Sequence, residues 1–184
     1  MEGIYLDNNA TTRVDPAVVE AMLPYFTEQF GNPSSLHSFG NKVGLAVKKA
    51  RMQVQELLGA EHESEIIFTS CGTEGNAMTL RGLLENNERR RVVTTSVEHP
   101  SVMTLLKALE TRGQIELTVA PVDSEGVVAI DVMEKLIDKT TLLVSIMQAQ
   151  NETGVIHPVA RVAEMAHRHG ALVLRRRGER QRRS

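Results

Sequence analysis

Three short segments hold side chains whose types and spacing could bind an anion, move a proton and contact a flat polar ring. In Ile66–Glu74 (IIFTSCGTE) an apolar run gives way to small residues and then to a helix-period stretch. Backbone N–H groups at such a helix start, with the positive end of the helix dipole, suit a phosphate. Gly72 allows close approach and Thr73 offers a hydroxyl. In Thr94–Pro100 (TTSVEHP) His99 follows a β-branched run directly and precedes a proline that opens a helix. A histidine there could stack on a flat group and transfer protons near neutrality. In Ser145–Gly154 (SIMQAQNETG) polar residues follow an apolar run abruptly, and Asn151 offers both a donor and an acceptor. Taken singly, the three read first as a helix cap, a loop histidine and an Asx-type turn closed by Gly154. No Walker motif and no Gly-x-Gly-x-x-Gly fingerprint is present.

The elements around these segments alternate. Strand-length apolar runs occupy Gly3–Leu6, Glu65–Thr69, Arg91–Thr95, Ile115–Ala120, Thr141–Met147 and Ala171–Leu174. Helix-period stretches occupy Pro16–Phe30, His37–Leu58, Glu74–Asn87, Pro100–Arg112, Asp131–Lys139 and Pro158–His169. Proline opens three of them, and Gly59, Gly113 and Gly170 follow three ends. Alternation of this kind predicts an α/β fold with a mostly parallel sheet sandwiched by helices. Such a sheet binds ligands at the carboxyl ends of its strands, where all three segments fall.

The order and spacing of these segments, with Tyr5–Thr12 (YLDNNATT) and Phe30–Gly40 (FGNPSSLHSFG), resemble the NifS/IscS-type cysteine desulfurases. The last motif is similar to their nitrogen-fixation branch, and the resemblance spans residues 4–173. It implies the large domain of the aspartate-aminotransferase-like fold and pyridoxal 5′-phosphate as cofactor. Gly72 and Thr73 match the family's phosphate cup. His99 matches the histidine that stacks on the pyridine ring and shuttles protons, and Asn151 the asparagine at the ring's 3′-oxygen. The implied reaction converts L-cysteine to L-alanine and passes sulfur, as a persulfide, to an iron–sulfur scaffold protein. A homodimer of the full-length form is implied as well.

The chain departs from the family pattern in several places. Cys71 stands where glycine is usual, Gly75 and Asn76 replace serine or alanine followed by asparagine or aspartate, and Gln150 replaces a frequent asparagine. Cys71 does not match the persulfide-forming cysteine, which lies farther along in the family. After Val173 the family continues with a strand carrying the aspartate that pairs with the pyridinium nitrogen. This chain has Arg176 there. None of the six lysines, Lys42 to Lys139, matches the lysine that holds the cofactor covalently. The expected organisation is an N-terminal segment (1–14), a partial cofactor-binding domain (15–174) and an arginine-rich tail (175–184). Read one base early, codons for Val-Asp-Ala-Val give Arg-Arg-Arg-Gly, which suggests a frameshifted tail on a truncated, inactive chain. The residue after that valine does not restore to the family's glutamine.

Composition narrows the remaining choices. Hydrophobic residues make up 41% and charged residues 24%, as in soluble globular proteins. No apolar run approaches a membrane span, and the single cysteine suits a reducing cytoplasm. No metal-ligand spacing is evident. Residues 175–184 carry six arginines and one glutamate, and the remainder 15 basic and 22 acidic residues. The acidic body and an aromatic content of 3% disfavour a nucleic-acid-binding module built on the tail. A non-catalytic fragment or dimer partner is the alternative to an enzyme. An uncovered apolar sheet edge and face are expected to promote aggregation.

Overall fold

The computed structural model describes residues 3–8 and 10–176. Asn9 and most of the arginine-rich tail, Arg177–Ser184, lie outside the described residues. The chain forms two compact units, Met1–Phe68 and Thr69–Ser184.

The first unit is helical. Helix α1 (Pro16–Met22) starts with proline in its first turn, and the Asp15 carboxylate caps the Ala17 N–H at 2.8 Å. The single helix expected over Pro16–Phe30 divides at Pro24, which lacks an N–H to continue the ladder, and α2 spans Pro24–Thr27. Helix α3 (Ser38–Leu58) is capped by His37, whose Nδ1 accepts from the Gly40 N–H at 3.3 Å. It ends at Gly59, whose φ of 68° closes a left-handed C-cap. A methyl group on Gly31 would sit 2.4 Å from the Phe39 carbonyl oxygen, and one on Gly40 2.3 Å from that of Ser35. These two glycines let the Phe30–Gly40 loop fold directly onto the first turn of α3.

Gly3–Leu6 and the later part of Glu65–Thr69, expected as strands, are not strands. Glu63–Glu65 is a 3-10 turn, and residues 66–69 and 3–7 are irregular. Apolar β-branched composition favours an extended backbone, but a strand also requires a neighbour to take its N–H and C=O groups.

In the second unit four strands form one parallel sheet in the order β2-β1-β3-β4: β1 (Arg91–Thr95), β2 (Glu116–Ala120), β3 (Thr141–Met147) and β4 (Leu172–Arg176). Four helices accompany it: α4 (Gly72–Glu85), α5 (Pro100–Thr111), α6 (Ile130–Leu136) and α7 (Val159–Arg168). Side chains alternate across the sheet. Val92, Leu142 and Leu143 pack with Leu80 of α4 and Val102, Leu106 and Leu109 of α5. On the other face Val93, Val144 and Ile146 pack with Met133 of α6 and Val162, Met165 and Ala166 of α7. Leu142 and Leu143 share a face because the pairing shifts between Arg91↔Thr141 and Val92↔Leu143, leaving one extra residue in β3. Every residue of β3 is buried, which explains why its run is apolar apart from Thr141 and Ser145. Removing a side chain such as Leu106, fully buried here, would cost about 2–5 kcal/mol.

The amino ends of the strands are tied by arginines. Arg91 pairs with Asp138 at 2.7 Å, and Arg89 donates to the carbonyls of Thr141 (2.7 Å) and Gly170 (2.5 Å). The carboxyl ends are left to the loops that carry the candidate residues. Among the described residues no helix is long and apolar enough to cross a membrane.

Candidate functional site

From β1 the chain passes to β2 on one side, then returns across β1 to reach β3 on the other. The sheet order therefore reverses between β1 and β3, and the carboxyl ends of these two strands flank the crevice where open α/β sheets bind ligands. His99 lies four residues after β1 ends at Thr95, and Asn151 four residues after β3 ends at Met147.

Helix α4 runs back toward the amino end of β1, so its own amino end lies at the ligand-binding edge. Its first turn holds Gly72 and Thr73, with Cys71 as N-cap. Nothing within 4 Å would oppose a side chain at Gly72, so this glycine leaves the helix start open rather than relieving a local clash. The environment there favours negative charge. The Cys71 thiol is held below its ordinary range by the Glu74 N–H, then the Ser70 hydroxyl and the Thr73 N–H. The Glu74 carboxyl is likewise held low, because it accepts from the Ser70 hydroxyl at 2.6 Å and the Ser70 N–H at 2.5 Å. Orphan N–H groups of a first turn, such as those of Thr73 and Glu74 that act on the Cys71 thiol, act in this way on any anion that reaches them.

The amino-terminal parts of α4 and α5 are joined. Asn76, one turn beyond Gly72, donates from Nδ2 to the Ser101 hydroxyl at 3.0 Å. Ser101 Oγ lies 2.8 Å from His99 Nδ1, which also accepts from the Ser101 N–H at 3.1 Å. His99 is thus the N-cap of α5. The residue before it, Glu98, is buried. Its carboxylate accepts from the His99 N–H at 3.0 Å and from the Ser145 hydroxyl of β3 at 3.3 Å. Ser145 in turn accepts at its carbonyl from Thr94 Oγ1 at 3.1 Å. Hydrogen bonds therefore run from Asn76 of α4 through Ser101 to the His99 ring, and from the His99 backbone through Glu98 to Ser145 of β3.

Asn151 is half-buried in the turn after β3. Gln150 caps that turn, its Oε1 accepting from the N–H groups of Glu152 and Thr153, and Gly154 closes it with φ at 76°. The Asx-type turn anticipated from the sequence is thus built on the neighbouring glutamine. Glu98, Asn76, Ser101 and Ser145 carry no site signal of their own in the sequence. The His-Pro-Ser spacing, an N-cap followed by a hydroxyl two residues on, was the one local signal available for Ser101.

The chain belongs to the aminotransferase class-V family, whose model matches residues 4–175. Among curated relatives, the cysteine desulfurase NifS of Azotobacter vinelandii is 51% identical over 173 residues, covering 94% of this chain and 43% of that protein. A cysteine desulfurase of Nostoc is 50% identical over the same shares of the two chains. The solved structure of a NifS-like protein superposes with a TM-score of 0.86 at 42% identity, covering 91% of this chain and 47% of its own. A structure of SspA in complex with cysteine gives 0.84 at 30% identity, over 91% and 48%. The chain therefore spans about 43% of the length of the curated relatives it matches.

Enzymes of this family, the cysteine desulfurases among them, depend on pyridoxal 5′-phosphate. The residues present suit the phosphate end of that cofactor: an open first turn at Gly72, the Thr73 hydroxyl, and N–H groups of Thr73 and Glu74 that already hold the Cys71 thiol's pKa below its ordinary range. On β4, Arg176 pairs in register with Met147, the last residue of β3, at the position where the resemblance calls for an aspartate.

Proposed function

We propose that this chain supplies the phosphate-binding turn and one ring-facing side of a pyridoxal-phosphate site that removes sulfur from L-cysteine, giving L-alanine and a persulfide. The observation that carries the reading is the hydrogen-bonded path Asn76–Ser101–His99–Glu98–Ser145 at the reversal point of the sheet. Gly72 and Thr73 hold the phosphate, His99 faces the ring and holds or moves a proton at Nε2, and Asn151 contacts the ring oxygen. When bound, the cofactor supplies an electron sink for the substrate's reacting carbon. L-Cysteine as substrate is supported by the solved relative that carries it.

In this reading Arg176 stands where the family carries its aspartate, and the lysine belongs to the part of the relatives that the chain does not span. An iron–sulfur scaffold protein as acceptor, with service to nitrogenase, is supported by the similarity to nitrogen-fixation desulfurases. A homodimer is supported by the apolar side chains that the first unit exposes, including Leu36 at 94% and Leu57 at 82%. The single cysteine supports a cytoplasmic setting.

A chimera tests the proposal. Residues 4–173 replace the matching segment of the Azotobacter vinelandii desulfurase, and sulfide release from L-cysteine is measured. Activity that disappears with His99→Ala is the expected result. A chimera that folds and binds cofactor but releases no sulfide contradicts it.

A further inference from the structure

We propose that Asn76 and Ser101 are positioning residues that fix the tautomer and the orientation of the His99 ring. The Ser101 N–H can only donate, so at 3.1 Å it makes Nδ1 of His99 an acceptor. Ser101 Oγ, 2.8 Å from the same nitrogen, must then be a donor to it. Asn76 Nδ2 donates to that oxygen at 3.0 Å, which orients the hydroxyl proton toward the ring. The opposite amide orientation would set two acceptors against each other. Two donors therefore converge on Nδ1, and the proton of the neutral ring rests on Nε2.

Neighbouring bonds hold the geometry. The backbone of His99 is held by Glu98 at 3.0 Å, and Asn76 is itself buried. Ser101 of α5, its hydroxyl oriented by Asn76 of α4, thus holds one edge of the imidazole and leaves proton exchange to the other. For a ring-facing histidine this specifies which nitrogen does the chemistry, as a second group does for the histidine of other proton-transfer sites. The importance of the relay for catalysis rests on the reading of His99 as ring-facing, whereas its effect on the tautomer does not.

The test is long-range proton–nitrogen NMR of the His99 ring in the 184-residue chain without cofactor, at a pH where the ring is neutral. The expected result is an Nε2–H ring with Nδ1 unprotonated. Ser101→Ala and Asn76→Ala each raise the share of the Nδ1–H form, roughly two- to tenfold, the span of one lost hydrogen bond. Ser101→Thr, which keeps the hydroxyl, restores the original ratio. A predominantly Nδ1–H ring in the unmutated chain overturns the proposal. So does an unchanged ratio in variants whose amide spectra show them folded. Tautomer shifts with no accompanying change in pyridoxal-phosphate affinity would uphold the relay and contradict the ring-facing role.

Discussion

The carboxylate of Glu98 accepts a hydrogen bond from the Ser145 hydroxyl at 3.3 Å, tying the loop after β1 to the interior of β3. Both residues are buried, and the same carboxylate holds the backbone N–H of His99. Replacing Glu98 with alanine would leave the Ser145 hydroxyl and the His99 N–H without this acceptor inside the protein. We expect Glu98→Ala to lower unfolding stability by about 1–3 kcal/mol, read from the urea midpoint, and Glu98→Gln to lose less. An alanine variant as stable as the parent would show that the bond contributes nothing.

His157 is buried, and neither ring nitrogen has a hydrogen-bond partner among the described residues. Burial lowers its pKa below the ordinary histidine value. In the unfolded chain the ring takes up a proton as pH falls through about 6.5, while in the folded chain it resists until a lower pH. Its contribution to stability is therefore present above about 6.5 and is lost as pH falls from there through the folded value. His157→Phe is expected to flatten the dependence of the urea midpoint between about pH 7.5 and 5.5. An unchanged slope would place the pH dependence in other groups.

Cys71 is exposed, and its thiol is held low first by the Glu74 N–H at the start of α4. Alkylation by iodoacetamide should reach its half-maximal rate at lower pH in the native chain than in urea. Because the same turn is assigned to phosphate, pyridoxal phosphate should slow the reaction. Identical profiles in both solvents would show that the helix start does not favour anions.

Sulfide release from L-cysteine by the 184 residues alone should be absent. Lys107 lies within α5, Lys135 within α6, and Lys139 before β3 at the amino edge of the sheet. None of these three stands in the loops after β1 or β3. Lys42, Lys48 and Lys49 all belong to α3 of the first unit. Sulfide production at an ordinary enzymatic rate would contradict this account.

The sheet of the second unit was legible because its strands are nearly uniform in composition: Arg91–Thr95 and Thr141–Met147 occupy the anticipated residues. The helix ends were legible from Gly59, Gly113 and Gly170, which all take positive φ. The fold class held for the same reason. Gly3–Leu6 and Glu65–Thr69 misled because composition reports a residue's preference for extension, not the presence of a partner strand. Local hydrophobic period likewise did not reveal the break at Pro24, where a missing N–H outweighs the apolar pattern. At the candidate site, residue types pointed to Gly72, Thr73, His99 and Asn151. The links between them were hidden because Asn76 and Ser101 lie 25 residues apart, and Glu98 and Ser145 lie 47 apart. Only the packing of α4 on α5 and of β1 on β3 brings these pairs together.

The central claim is that the first turn of α4, with His99 and Asn151, forms the phosphate and ring side of a cofactor site. It is tested most directly by comparing the affinity of the 184-residue chain for pyridoxal 5′-phosphate and for pyridoxal, by fluorescence titration, with Thr73→Val and His99→Ala beside the parent. The account predicts tighter binding of the phosphorylated form, a preference weakened roughly tenfold by Thr73→Val through the lost charge-assisted hydrogen bond. His99→Ala should weaken both ligands alike. Equal affinities in the parent chain, or a phosphate preference untouched by Thr73→Val, would contradict it.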